Sequence, residues 1–134
     1  MDSALSKIGW LGHSALRIVS GFLFACHGAQ NVFGAFGGFG EGGGAAAMWS
    51  QFWIAGIIEL VGGTLIALGV RTQIAAFVCC GEMAVAYFTV HQKGGLLPIQ
   101  NHGELAVLYC FVFLYLTVAG GGEWSLDRLL RSRA

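Results

Sequence analysis

Apolar residues dominate four long stretches of this chain, and shorter polar or glycine-rich segments separate them. The stretches cover about residues 10–34, 52–69, 73–91 and 103–119. A helix that crosses about 30 Å of hydrocarbon needs roughly 20 mostly apolar residues, so each stretch predicts a transmembrane helix. The pattern therefore predicts an all-α fold, a four-transmembrane-helix bundle formed by one domain over residues 1–134.

A short amphipathic segment follows the fourth stretch. Ser125 can cap the N-terminus of a helix, and Asp127 then lies in the first turn, where a negative charge is favourable. Trp124, just before it, is the residue type that favours the headgroup level of a membrane. We predict a short C-terminal interfacial helix that lies along the membrane surface.

The segment between the first two stretches is rich in glycine. Gly38, Gly40 and Gly43 have the spacing of the dinucleotide-binding fingerprint. That motif binds pyrophosphate only between a strand and a helix, whereas here it follows a predicted membrane helix. A flexible external loop is the better interpretation.

Composition and charge support a lipid membrane as the surroundings of this chain. Apolar residues make up 56% of the sequence, with only seven Lys+Arg and seven Asp+Glu. In soluble domains about a quarter of the residues are charged. The formal net charge of zero also lacks the basic cluster that nucleic-acid binding needs, so no nucleic-acid partner is predicted.

The few cations predict an orientation. Arg17 interrupts the first apolar stretch, which argues against a cleaved signal peptide and for a retained membrane anchor. Loops with more Lys and Arg face the cytoplasm, which predicts that both termini are cytoplasmic and that the protein is multi-pass in the plasma (inner) membrane. Only Lys93 falls on the external side, and the cations on the other side are Lys7, Arg71, Arg128, Arg131 and Arg133.

Three ionisable residues fall inside the predicted spans: Arg17, Glu59 and Glu82. Because a buried charge is costly in hydrocarbon, we expect Arg17 to pair with one carboxylate. Glu59 is the favoured partner, since the glycines beside it on its helix would let helices approach closely. Glu82 would then lack a cation and could carry a proton. All three are candidate catalytic residues, although they could instead only fix the register of the bundle.

A second polar group is predicted at the external ends of the spans. It could form a small ligand-binding pocket under the glycine-rich loop, or merely a hydrated rim. A metal site from His27, His91 and Glu104, or haem held by His27 and His91, are weaker alternatives because the spacings are not those of known motifs. The candidate ligand-binding residues are His27, Gln30, Asn31, His91, Asn101, His102 and Glu104.

The four cysteines do not form a known redox or haem motif. Cys26, Cys79, Cys80 and Cys110 make neither Cys-x-x-Cys nor Cys-x-x-Cys-His. A thiol–disulfide enzyme or a c-type haem protein would need one of these spacings. We predict that the cysteines are small buried side chains.

Several short motifs, taken in order, resemble those of the DoxX family of small four-helix membrane proteins. The sequence departs from the usual pattern in that Asn31 replaces a common lysine and Arg71-Thr72 reverses a frequent Thr-Arg order. The motifs cover nearly the whole chain: Arg17-x3-Gly21, His27 through Gly34, Glu59-x2-Gly62-Gly63, Leu68-Gly69, Met83-Ala84-x-Ala86, His91, Pro98-x2-Asn101-His102-Gly103-Glu104, Gly120-x-Gly122 and Ser125-Leu126-Asp127.

The resemblance implies a membrane subunit associated with oxidoreductases, because the family's namesake is linked to thiosulfate oxidation with quinone as electron acceptor. It suggests an integral membrane subunit of a quinone-linked oxidoreductase complex, in which a redox partner protein supplies the redox centre. The chain would offer a niche for quinone or a small ligand and proton-handling carboxylates; an oligomer is also compatible. The rival hypothesis is a structural or assembly subunit of a larger membrane complex with no catalysis of its own.

Overall fold

A computed structural model describes residues 2–132, with side chains from residue 6 onwards. Every regular element in this range is helical, which confirms the all-α prediction. Two short 3-10 turns, Ala35–Gly37 and His91–Gly94, extend the ends of helices. The α-helices are α1 (Asp2–Phe33), α2 (Gln51–Leu68), α3 (Thr72–Thr89), α4 (Pro98–Asn101), α5 (Glu104–Ala119) and α6 (Leu126–Arg131).

Three helices in the described part of the chain are long and apolar enough to cross a membrane. They are α1 over Ser6–Phe33, α2 over Gln51–Leu68, and α3 with its 3-10 extension over Thr72–Gly94. The fourth predicted span corresponds to α5, which is apolar but has only 16 residues. The four-span count and the cytoplasmic orientation stay predictions, and Arg133, used for the orientation, lies outside the described residues.

Local chemistry explains where the helices end. The chain leaves α1 at Gly34, whose φ of 70° is in the left-handed region that glycine tolerates. Ser50 caps α2 because its hydroxyl accepts a hydrogen bond from the Trp53 amide, and Gly69, with φ of 73°, terminates the same helix. The predicted ends agree within about two residues except at the start of α1, where the helix begins at Asp2 rather than near residue 10.

The bundle is built from two helix pairs, α1 with α2 and α3 with α5. Contacts between α2 and α3 join the two pairs. Small residues bring α1 and α2 together. A Cβ at Gly28 would lie 2.2 Å from the Leu60 amide nitrogen, and one at Gly21 would lie 2.5 Å from that of Ala67. These two backbones therefore pack at a separation that only glycine permits.

The interior is apolar and so is much of the exterior. Phe24, Ile66, Cys79, Phe113 and Leu116 are almost fully buried between the helices. Exposed large apolar side chains cover the outside of the same helices, including Phe22 (61% exposed), Phe77 (67%) and Val118 (79%). A surface of this kind is stable against lipid and not against water, which agrees with a membrane protein.

The C-terminal helix α6 forms as predicted. The Ser125 hydroxyl accepts a hydrogen bond from the Arg128 amide, and Asp127 lies in the first turn. Two further bonds dock this segment on the α2–α3 turn: Asp127 Oδ2 accepts from the Arg71 amide at 2.6 Å, and the Asp127 amide donates to Gly69 O at 3.1 Å. Its place along a membrane surface stays a prediction.

The prediction that Arg17 pairs with a buried glutamate is wrong. Its side chain is fully buried, and among the described residues it donates only to the backbone carbonyls of Ile66, Ala67, Gly121 and Trp124. Ile66 and Ala67 lie about 11 Å beyond Glu59 along α2, at 1.5 Å per residue. The guanidinium therefore reaches the carbonyl end of α2, where the helix dipole is negative, rather than the carboxylate two turns away.

Candidate functional site

A cavity of about 410 Å³ opens between α1, α2, α3 and α5, at the end of the bundle away from Arg17. Most of its wall is apolar, contributed by side chains such as Phe24, Ile58 and Met83. Its polar groups are few and converge from different helices, which is the arrangement typical of small-molecule sites. The polar or ionisable residues that line it are His27, Asn31, Gln51, Glu59, Glu82, His91, His102 and Tyr109.

Glu59 is held in the cavity wall by Asn31. The Asn31 Nδ2 atom donates to Glu59 Oε2 at 2.8 Å, and this bond joins α1 to α2. The close packing of Gly28 against the backbone of α2 permits it, since Gly28 lies one helical turn before Asn31. Glu59 is only 8% exposed, so this neutral donor supports a carboxyl group that no cation contacts within residues 6–132.

Glu82 differs from Glu59 in having an unpaired buried oxygen. Its Oε2 atom is inaccessible and makes no hydrogen bond to any described residue. A buried polar atom without a partner is destabilising, so such atoms concentrate where a ligand, water or proton completes the site. Both predicted carboxylates thus line one cavity, and one of them retains unused hydrogen-bonding capacity.

Aromatic residues form the inner wall of the cavity. Tyr109 on α5 packs against Phe24 on α1 with ring centroids 5.0 Å apart, and against Phe113 at 5.5 Å. His27 lies edge-on to the same tyrosine at 6.2 Å. Sequence reasoning missed Tyr109, although a phenol near the middle of a largely apolar helix was a usable signal.

The three candidate histidines all reach this cavity from different elements. His27 is exposed on α1, His102 is exposed before α5, and His91 belongs to the 3-10 turn after α3. His91 donates through Nδ1 to the Asn101 carbonyl at 3.3 Å, since a carbonyl can only accept. The structure therefore brings together His27, Asn31, Glu59, Glu82, His91 and His102 of the predicted site.

Four predicted site residues lie elsewhere. Gln30 donates to the Gly38 carbonyl at 2.7 Å and so holds the glycine-rich loop. Asn101 is buried and organises the segment before α5, donating to Gly95 O at 2.9 Å and accepting from the Gly103 amide at 2.8 Å. Glu104 is exposed at the start of α5 outside the cavity wall, and Arg17 is at the opposite end.

The positions of the histidines, acidic residues and cysteines bear on the metal, thiol and nucleotide chemistry that the sequence raised as alternatives. Within the residues that the structure describes, no three His, Cys, Asp or Glu side chains are grouped as metal ligands would be. The four cysteines are free, with Cys79 buried in the core and Cys80 Sγ 3.7 Å from Cys110 Sγ. The glycine-rich loop forms a 3-10 turn and tight bends after α1, without the strand that a dinucleotide fingerprint requires among the described residues.

The family model that matches this chain is DoxX, over residues 12–92. The chain belongs to the DoxX family. The matched region contains all of α2 and α3 and most of α1, and hence Asn31, Glu59 and Glu82 of the cavity. The resemblance seen in the sequence motifs is thereby confirmed.

Curated relatives extend the similarity over almost the whole chain. An "Uncharacterized protein" of Haemophilus influenzae is 44% identical over 115 residues, covering 84% of this chain and 85% of the relative. "Putative oxidoreductase CatD" of Bacillus subtilis is 26% identical over 123 residues, covering 92% and 90%. "Uncharacterized membrane protein Rv3486" of Mycobacterium tuberculosis is 33% identical over 91 residues, covering 59% and 55%. No solved structure matches the chain.

Proposed function

We propose that this DoxX protein is an integral membrane subunit of a quinone-linked oxidoreductase complex, and that the cavity lined by Glu59 and Glu82 binds the quinone headgroup. The observation that carries the proposal is the Glu82 carboxyl group, whose buried Oε2 has no partner within residues 6–132 and lines an aromatic cavity. A ligand with oxygen atoms at its edge and a flat apolar body would use both features.

The size and wall of the cavity support a ring-shaped ligand. Its volume of about 410 Å³ is within the range of about 300–1,000 Å³ that is typical of small-molecule sites. Phe24, Met83 and Tyr109 provide apolar and aromatic surface, while Asn31, Glu59 and Glu82 provide polar atoms. The exposed apolar residues around the bundle would let a lipid-soluble ligand approach from the membrane.

Quinone reduction takes up two electrons and two protons. The electrons would come from a redox partner protein in the complex, because the sequence contains no cofactor motif that would let this chain transfer them alone. Glu82 and Glu59 would hold the protons beside the ligand oxygens, and the Asn31 amide would keep Glu59 in place while its protonation changes. The name of the Bacillus subtilis relative, an oxidoreductase, agrees with this class of function.

The direct test is quinone binding by the purified protein. Menadione would be titrated in mild detergent while tryptophan fluorescence is recorded, and lipid-like ligands that copurify would be identified by mass spectrometry. Glu82→Gln and Tyr109→Phe should weaken binding, because each alters one polar group of the cavity wall. Glu104→Gln is the matched control, since it makes the same chemical change at an exposed residue outside the cavity.

Two results would contradict the proposal. One is equal menadione binding by wild type, Glu82→Gln and Tyr109→Phe, which would mean that the cavity is not the quinone site. The other is the absence of any bound quinone together with full assembly of both variants into their membrane complex. That second result would favour a structural or assembly subunit.

A further inference from the structure

A second cavity, of about 720 Å³, lies at the opposite end of the bundle from the Glu59–Glu82 cavity. It is formed where α1, the start of α3, the end of α5 and α6 come together. Its walls combine cationic, polar and apolar side chains, including Trp10, His13, Arg71, Tyr115 and Arg131. None of these residues belongs to the proposed quinone site.

The charge of this second cavity is positive and partly uncompensated. Arg71, Arg128 and Arg131 line it together with Glu123 and Asp127. Arg128 forms an ion pair with Glu123. No carboxylate lies within 4 Å of the Arg71 or Arg131 guanidinium among residues 6–132, so two guanidinium groups are available to an anion.

Asp127 contacts the backbone of Arg71 but makes no ion pair with its guanidinium. Asp127 Oδ2 accepts from the Arg71 amide at 2.6 Å, which holds the turn that precedes α3. Arg71 has φ of 47° and does not cap α3 with its side chain. Its guanidinium lines the cavity and makes no ion pair within the described residues.

A buried hydroxyl supplies a second, independent sign of a ligand. Thr72, the first residue of α3, lines the cavity, is 2% exposed, and its Oγ1 has no hydrogen-bond partner within the described residues. At the start of α3, the Ile74 and Ala75 amides donate to the Arg71 carbonyl, whereas the Thr72 and Gln73 amides have no backbone acceptor among the described residues. A hydroxyl and a helix N-terminus beside guanidinium groups form the donor set that phosphate groups bind.

Apolar surface at the same cavity indicates that the phosphate belongs to a lipid. Ile74, at 62% exposed, lines the cavity and continues into the apolar outer face of α3. Trp10 packs edge-on against Trp124 at 5.4 Å, and aromatic residues of this kind favour the headgroup level. Leu129 and Leu130 are exposed on α6 beside the basic residues of that helix.

From these contacts we propose that the Arg71–Arg131 cavity binds the headgroup phosphate of an anionic phospholipid. Arg71 and Arg131 would contact the phosphate oxygens, the Thr72 hydroxyl would donate a hydrogen bond, and the acyl chains would lie along Ile74 and the lipid-facing side of α3. Bound lipid would link α6 to the α2–α3 turn and stabilise this end of the bundle.

The test is thermal unfolding of the full chain in a neutral detergent with added lipid. Phosphatidylglycerol should raise the unfolding temperature in a saturable way, whereas phosphatidylcholine and inorganic phosphate at the same concentration should not. Arg71→Gln and Arg131→Gln should each weaken the apparent phosphatidylglycerol affinity about five-fold, and the double variant about 25-fold, at about 1 kcal/mol per cation. Raising the salt concentration should weaken the wild-type effect.

Lys93→Gln is the matched control, because it removes one positive charge from an exposed residue outside this cavity. It should keep wild-type lipid affinity, and so should Glu82→Gln, which separates this proposal from the quinone site. Equal protection by phosphatidylcholine, or equal weakening by Lys93→Gln, would overturn the proposal. Equal protection by inorganic phosphate would show that the cavity binds free phosphate and not a lipid headgroup. If Arg71→Gln fails to fold, Arg131→Gln and the salt titration decide the question.

Discussion

The two ends of this bundle differ in how completely their buried charged side chains are hydrogen-bonded. At one end, Arg17 is fully buried and its guanidinium donates to four backbone carbonyls. At the other end, Glu59 has one side-chain donor and Glu82 has a buried oxygen with none among the described residues. A cavity is present beside the two carboxylates, whereas the Arg17 guanidinium is enclosed by protein.

The number of hydrogen bonds that a buried charged side chain makes distinguishes structural residues from candidate functional residues better than its burial does. A charged group whose hydrogen bonds are all made by the backbone stabilises the fold, since it ties distant segments together. A charged group with unused capacity beside a cavity is costly unless something else binds there. Arg17 is therefore better understood as a structural residue, and the two glutamates as the candidates for chemistry.

Replacement of Arg17 should have the largest effect. Arg17→Leu leaves the carbonyls of Ile66, Ala67, Gly121 and Trp124 without this donor, and we expect a loss of about 3–5 kcal/mol, comparable to breaking a buried charge network. Chemical or thermal unfolding in detergent measures it. Combined with Glu59→Gln, the losses should add, because the two side chains do not pair. Rescue by Glu59→Gln would show an Arg17–Glu59 interaction and contradict the structure.

Enlarging the glycines between α1 and α2 should have the next largest effect and should distinguish the two ends. Gly28→Ala and Gly21→Ala should each cost about 1–3 kcal/mol, because their Cβ atoms would meet the backbone of α2. Only Gly28→Ala, one turn from Asn31, should also weaken menadione binding. Gly12→Ala in the same helix is the control, since its Cβ meets nothing within 4 Å. Loss of binding in both variants would show that the ends are not independent.

The Asn31–Glu59 hydrogen bond should matter less for stability. Asn31→Ala should cost about 1 kcal/mol, because it leaves the buried Glu59 carboxyl group without its donor. Glu59→Gln should cost less, since a glutamine oxygen can still accept from Asn31. Unfolding midpoints of the two variants provide the measurement. A larger loss for Glu59→Gln than for Asn31→Ala would indicate that Glu59 has an additional partner.

Glu82→Gln should have the smallest effect on stability, within about 0.5 kcal/mol, because the Glu82 Oε2 atom makes no hydrogen bond to any described residue that could be lost. The same variant should weaken menadione binding. Parallel unfolding and binding titrations test both halves. A clear loss of stability would place Glu82 with Arg17 as a structural residue and remove the contrast between the two ends.

Much of the fold followed from local features of the sequence. Apolar stretches located the long helices, and Ser125 predicted the start of α6. In the structure, Ser50, Gly34 and Gly69 lie at the other helix ends. These features depend on neighbouring residues and on helix geometry, so no knowledge of the packing was needed. The glycine-rich loop could likewise be distinguished from a nucleotide-binding loop, because the element that precedes it in the sequence is a predicted helix and not a strand.

The residues of the candidate site could be predicted from the sequence only in part. Depth along each helix predicted two separate groups, with His27 and Asn31 at the external ends and Glu59 and Glu82 near the midpoints. The structure brings these four into one cavity. Depth could not distinguish Asn31 from Gln30, because these neighbours point to different sides of α1. Gln30 consequently serves the loop, while Asn31 contacts Glu59.

By itself, the sequence determined the all-α class, the apolar character and the helix limits, because periodicity, length and capping residues act over a few neighbouring positions. Only the tertiary structure decided the partners of the buried charges. Arg17 bonds to carbonyls 49 to 107 residues away in the chain. Every residue carries a carbonyl, so side-chain identity cannot mark which ones will be acceptors. That choice depends on how the end of α2 and the turn before α6 pack around one guanidinium.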